Sequence, residues 1–179
     1  MLMYGCGVRR SETANLRIQN FNFDTGMLSV QFGKGGKSRT VPLPHTIHGD
    51  IMRQFEQVRA LQQADLQTGS DGVFLPAAFE QQATSAARAL VWQWCVPAQS
   101  LTRVEARGEL RRDHGHASAL QRAIKAAARK AGIPKRVSPH TRRHTFATHL
   151  LQAHDDIRQI QQMRGHSDVR TTALGVEVG

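Results

Sequence analysis

The apolar residues of this chain change their spacing at Pro44, and that change narrows the folds open to it. Before Pro44, Leu28, Val30 and Phe32 alternate with Ser29 and Gln31. That two-residue period belongs to a strand with one buried face. Gly33-Lys34-Gly35-Gly36-Lys37 then reads as a hairpin turn, and Arg39 to Leu43 as the returning strand. The stretch from Leu16 to Phe23 supplies a strand before them. After Pro44, Ile47, Ile51, Phe55, Val58 and Leu61 recur at threes and fours. This is the period of an amphipathic helix, which reaches to about Gln67.

Met1 to Gly7 begins inside an apolar run without a helix cap and reads as the middle of a helix. A glycine-bracketed turn leads into a short helix from about Val8 to Leu16. Residues 68–116, rich in Gly, Pro and Gln, are the least regular, with a helix expected from about Ala83 to Trp94. Leu120, Ile124, Ala127 and Ala131 share one face of a later helix, and Arg122, Lys125, Arg129 and Lys130 the other. Gly132-Ile133-Pro134 stops it. Ser138 as cap and Pro139 in the first turn open a helix to about Ala153. Another runs from Ile157 to Arg164 and ends at Gly165. The expected fold is α+β and mainly helical, a single domain over residues 1–179, with a small three-stranded antiparallel sheet near its start.

Charge points to the partner. Lys and Arg number 24 against 14 acids, a net charge of +10, with an isoelectric point near 11.0. Such a balance favours a polyanion, most often nucleic acid. The predominance of Arg over Lys suits bidentate phosphate recognition. The two cysteines, Cys6 and Cys95, stand far apart and in no metal-binding spacing, so neither a disulfide framework nor a zinc site is expected. No apolar run approaches the roughly 18 residues of a membrane span. A cytoplasmic location without membrane contact is the expectation.

Four short groups carry chemistry. His140 and Arg143, three apart in the first turn of a helix, project together toward the positive end of its dipole. They suit a pair of phosphate oxygens, and equally an ordinary solvated face. Arg9 follows a tight turn at Gly7, and Glu12 lies one helical turn on, able to orient Arg9 or to form a plain surface pair. Lys34 sits on the glycine-rich hairpin, where an ammonium can reach a leaving oxygen as general acid. His166 follows the end of the helix at Gly165.

Together these groups resemble the tyrosine recombinase family. Gly-x-Arg-x-x-Glu, Gly-Lys-Gly-Gly-Lys, His-Thr-x-Arg-His-x-Phe-Ala-Thr-His-Leu-Leu and Gly-His-x-Asp-Val occur in that family's order across essentially the whole chain. The resemblance implies that Arg9 and Arg143 clamp the scissile phosphate, that Lys34 protonates the leaving 5′ oxygen, and that His140 and His166 complete the basic set. Glu12 then supports Arg9. Charge building on the phosphate oxygens is met by these fixed donors, so neither a metal nor another cofactor is expected.

Residues 58–112 are similar to the extra segment of integron integrases, through Ala64-Asp65-Leu66, Phe74-Leu75-Pro76 and Trp92-Gln93-Trp94. That branch moves gene cassettes at sites folded from single-stranded DNA, whose protruding bases Trp92 and His114 would hold. Arg111 and Arg112 would face the DNA beside them. Core packing is the alternative for Trp92 and Trp94, and the expected answer for one of them. In two places the chain departs from the branch: Asp113 precedes His114 where two histidines are usual, and Glu105 replaces a proline.

The family's nucleophilic tyrosine belongs nine residues beyond His166, a count that lands on Gly175. The expectation is therefore a recombinase catalytic domain without cutting activity, its N-terminal DNA-clamping domain absent and the family's self-association doubtful. A non-catalytic DNA-binding module of the same family is the alternative.

Overall fold

A computed structural model of the chain describes residues 2–31, 38–80 and 84–134. The alternating segments form the sheet expected of them. Strands β1 (Phe21–Asn22), β2 (Met27–Val30) and β3 (Arg39–Pro42) are antiparallel, in the order β1-β2-β3. Leu28 lies opposite both Phe21 and Val41, and Val30 opposite Arg39. Leu28, Val30 and Val41 are fully buried, whereas Ser29 is exposed.

Helix α1 (Leu2–Gly5) and helix α2 (Arg10–Ala14) precede this sheet. Helix α2 is shorter than expected, because the Asn15 side chain donates back to the Ser11 carbonyl and closes the turn, at 2.8 Å. Leu16 then leaves the helix to accept a main-chain bond from Cys95, at 2.7 Å. The strand expected from Leu16 is instead a 3₁₀ turn over Ile18–Asn20, held by the Arg17 amide on the Asn20 side chain at 2.7 Å. Helix α3 (His48–Gln67), entered through the turn His45–Ile47, has the expected extent. Ile47 of the turn and Ile51 and Phe55 of the helix pack into the same core as the sheet, with the Phe55 ring edge-on to Phe21 at 5.2 Å.

The segment after α3 departs furthest from expectation. It folds as a second sheet of β4 (Gly72–Val73), β5 (Pro97–Val104) and β6 (Glu109–His114), in the order β4-β6-β5. Strand β4 runs parallel to β6, and β5 antiparallel to it. The hydrophobic pattern hides β6 because two adjacent arginines are buried in it. Arg111 and Arg112 are 4% and 6% exposed. Arg112 grips both carboxylate oxygens of Asp65 at 2.5 Å. Asp65 is the residue that continues the buried stripe of α3 beyond Val58.

The helix expected from Ala83 to Trp94 is two 3₁₀ turns, Thr84–Arg88 and Leu90–Trp92. They are separated at Ala89, whose backbone is extended. The Gln93 side-chain amide donates to the Ala87 and Ala89 carbonyls, each at 3.2 Å, in place of the missing helical bonds. A second core of Val73, Leu75, Ala87 and Trp94 forms there. Between β4 and β5 in sequence stands α4 (Ala77–Glu80), and after β6 comes α5 (Ala117–Lys130).

Helix α5 lays Leu120 and Ile124 on the first core and exposes Arg122, Lys125, Arg129 and Lys130, as expected, but Ala127 and Ala131 are exposed and Ala128 is the buried alanine of its later turns. No described helix is long and apolar enough to cross a membrane. The hairpin turn at residues 33–37 and the helices expected from Ser138 and Ile157 lie outside the described residues.

Gly72 is the tightest point of the second core. Its φ is +96°, and a Cβ placed there would overlap the Ala87 carbonyl. Gly72→Ala is expected to lower unfolding free energy by at least about 2 kcal/mol, combining backbone strain with overpacking. Gly108, also left-handed but with open space around it, should cost only about 1 kcal/mol on the same change. Urea titration of both variants checks the contrast.

Candidate functional site

The site is organised by one carboxylate. Gly7, at φ +61°, turns the chain so that Arg9 enters α2 as its extended N-cap residue. Glu12, at the third helical position, accepts the Arg9 backbone N–H at 2.6 Å and its side-chain Nη1 at 2.7 Å. The first of these bonds is one half of a capping box. From β3, Arg39 donates Nη1 to Glu12 Oε1 at 2.8 Å and Nη2 to Oε2 at 2.9 Å, a bidentate fork.

The Glu12 side chain is 3% exposed, against 12% for Arg39 and 23% for Arg9. Burial by itself would raise the carboxyl pKa, but the bonds from Arg39 and Arg9 together outweigh it and hold it at about 2. Two guanidiniums share this one ionised carboxylate. Arg9 is the more exposed of the two.

Arg39 is not among the residues expected at the site, although the sequence holds a signal for it. It shares strand parity with Val41 and Leu43, which are 1% and 4% exposed. A charged residue on the buried face of a strand requires a partner.

A second cluster surrounds Arg17. Its guanidinium carbon stands 3.5 Å from the centroid of the Trp94 ring and 5.4 Å from that of Trp92. Its nitrogens donate to the Trp92 and Phe74 carbonyls at 2.6 and 2.7 Å. Burial brings the Arg17 pKa down to about 10, opposed by the charge of Asp113, so it remains a cation at neutral pH.

Trp94 is the tryptophan committed to the core, with its indole N–H donating to the Arg112 carbonyl at 3.3 Å. His114 meets the Trp94 ring edge-on at 5.3 Å. Trp92 is half-buried and lies against Phe79, itself 45% exposed, at 5.1 Å.

Arg111 and Arg112 are placed differently from expectation. Instead of facing outward beside Trp92, they point into the domain. Arg111 binds Glu80 at 2.6 Å and Glu109 at 2.9 Å, while Arg112 binds Asp65 and the Ala98 carbonyl. Bringing the Arg112 guanidinium out would strand the buried Asp65 carboxylate. The role of the two arginines in this structure is to hold the second sheet to α3 and α4. Lys34, His140, Arg143, His166 and Gly175 lie outside the described residues.

The chain belongs to the phage integrase family, whose pattern matches residues 1–174. It is 39% identical over 177 residues to an integrase/recombinase of Escherichia coli, covering 99% of this chain and 52% of that protein. To tyrosine recombinase XerA of Pyrococcus furiosus it is 31% identical, covering 99% and 48%.

Among solved structures, it matches the XerA recombinase with a TM-score of 0.67 at 27% identity, over 99% of this chain and 51% of that one. The Tn1549 transposon integrase in complex with circular intermediate DNA gives a TM-score of 0.62 over 97% of this chain and 51% of that one. Its 17% identity makes this a likeness of fold. The chain spans about half the length of the curated relatives it matches.

The folded pKa of Glu12 lies below its unfolded value. Its pairing therefore adds stability in full above about pH 4.5 and loses it as pH falls toward 2. Glu12→Gln removes this contribution. The stability advantage of the native chain over Glu12→Gln, read by urea unfolding, should be present at pH 6 and narrower at pH 3.

Proposed function

We propose that this chain is catalytic-domain sequence of an integron-type site-specific tyrosine recombinase. It grips a DNA phosphate but lacks the nucleophile that would open the strand. The observation that carries this reading is Arg9, held on the buried Glu12 with its guanidinium still partly exposed.

Strand transfer at a phosphodiester builds negative charge on the non-bridging oxygens, and a donor fixed beforehand stabilises that charge without reorganising. Arg9 and Arg143 would form the clamp, His140 and His166 would complete it, and Lys34 would give a proton to the leaving 5′ oxygen. Gly175, at the tyrosine position, has no atom to attack with. No covalent intermediate can then form through that position, however good the clamp.

The integron branch draws its support from residues 58–112. There Trp92 and Phe79 present a partly open aromatic pair, with Val91 exposed beside them. Bases that protrude from a folded single strand would stack on such a surface, since every base has a π-face. In this reading Trp92, more exposed than Trp94, would be the stacking ring, with His114 against Trp94 nearby.

A second reading, a DNA-binding module that uses the clamp for holding alone, is favoured by Gly175 itself. The family match ends one residue before it.

Two hairpins that differ only in protruding bases test the branch. At fixed salt the complete hairpin should bind clearly tighter, by about 5- to 100-fold per stacked base, and Trp92→Ala should abolish the difference. Equal binding by the native chain would remove the integron assignment. On a nicked substrate the chain should form no covalent adduct, and nicking of a supercoiled plasmid would overturn the absence of cutting.

A further inference from the structure

We infer that Arg17 is a positioning residue for base recognition: its one guanidinium fastens the two chain segments that supply the Trp92–Phe79 aromatic pair, and so sets that pair for protruding bases. The inference rests on the reading of Trp92 as a stacking ring, and concerns what holds the ring in place.

Trp92 and Phe79 reach each other from different parts of the chain. Trp92 closes the 3₁₀ turn Leu90–Trp92, and Phe79 stands on the four-residue helix α4. Their ring centroids lie 5.1 Å apart, with the planes tilted by 53°. Trp92 is half-buried and Phe79 exposed. Elements this short have little stability of their own, so the spacing of the two rings is imposed from beneath.

Arg17 supplies that support. It stands at the head of the turn Ile18–Asn20, beside the first sheet. Its Nη1 donates to the Trp92 carbonyl at 2.6 Å and its Nη2 to the Phe74 carbonyl at 2.7 Å. From Phe74 the chain passes through Leu75 and Pro76 into α4, and the Leu75 N–H donates to the Glu80 side chain at the end of that helix, at 3.0 Å. One planar fork therefore ties the root of each ring-bearing segment. A main-chain bridge between Arg17 and Trp94 fixes where the side chain starts, and the Trp94 ring, 3.5 Å away, fixes the plane in which it lies.

The groups that hold Arg17 show what it does. Arg111 and Arg112 turn inward onto carboxylates, whereas Arg17 turns onto two main-chain carbonyls and an indole face. An apolar side chain could fill the same space on Trp94, but it would leave both carbonyls without their donor. At 7% exposed, Arg17 is itself too deep to meet a phosphate. Its effect on DNA passes through the rings it holds, and so falls on protruding bases rather than on the backbone.

The test measures, for the full 179-residue chain, the ratio of affinities for a hairpin with protruding bases and the same hairpin without them, together with the salt slope on the bare hairpin. Arg17→Met fills the space but cannot donate to a carbonyl. It should bring the ratio close to one, a loss of about 5- to 100-fold per stacked base, while affinity and slope on the bare hairpin stay native. In chains labelled with fluorotryptophan, the fluorine signal missing from Trp92→Phe should shift when the complete hairpin is added to the native chain, and stay in place in Arg17→Met. If thermal melts show Arg17→Met unfolded, Arg17→Lys takes its place. It keeps a cation on Trp94 but lacks the planar fork, and should lose most of the ratio.

A folded variant that keeps the native ratio would overturn the inference, because the rings would hold their places without Arg17. Equal weakening on both hairpins, or the failure of both variants to fold, would overturn it too, since Arg17 would then only support the fold. A slope reduced by about 0.9 would mark direct phosphate contact and have the same consequence. The reading beneath fails separately. Equal binding of both hairpins by the native chain removes Trp92 as a stacking ring, and this inference with it. A native ratio that is lost in Trp92→Ala but kept in the Arg17 variant removes the inference alone.

Discussion

The two cores of this domain are joined through Arg17. The main chain around it pairs with the segment around Trp94: Ile18 donates to the Gln93 carbonyl at 3.1 Å, and Cys95 donates to that of Leu16 at 2.7 Å. Those bonds would not hold a bulky cation in place by themselves. The guanidinium lies on the Trp94 ring and donates to two carbonyls of the second sheet's region. A cation on an indole face, removed from water, is attracted more strongly than at an open surface. Without that contact a buried arginine would be costly. With it, the strand-and-turn segment after α3 is fixed relative to the first sheet, and Trp92 is carried to a partly open position.

The same logic recurs wherever an arginine turns inward. Arg112 meets Asp65, Arg111 meets Glu80 and Glu109, and Arg39 meets Glu12. In each case a carboxylate from another element decides which arginine is structural. A buried pair of this kind adds modestly to stability, but breaking it by removing one partner is expensive. That asymmetry fixes register and orientation more than it raises overall stability. Arg9 differs from the others in remaining more exposed, so the carboxylate that orients it does not enclose it.

Much of the first half of the fold was legible because its periods are clean. Leu28 and Val30 announced β2, and the threes and fours from Ile47 to Val58 announced α3 to within a residue or two. The second sheet was not legible, for a physical reason. In β6 the buried positions are arginines, and their inward direction depends on acids from α3, α4 and β6 itself that local spacing cannot reveal. In β5 the exposed and half-buried residues follow no alternation. The apolar residues from Ala83 to Trp94 suggested a helix, yet they enter the core from turns supported by Gln93. At the site, the spacing of Arg9 and Glu12 was readable within one helical turn. Arg39 required knowledge of strand pairing across a hairpin.

Burying acids with arginines also changes the exterior. Glu12 and Asp65 are withdrawn from the surface along with the cations they bind. The net charge of +10 is unaltered by this exchange, but it is displayed with less opposing charge around it. A field of that kind acts before contact, over a screening length of about 8 Å at physiological salt. It accelerates the diffusional approach of a polyanion and weakens steeply as ionic strength rises. By keeping acids indoors, the inward-facing arginines help determine how quickly such a partner arrives.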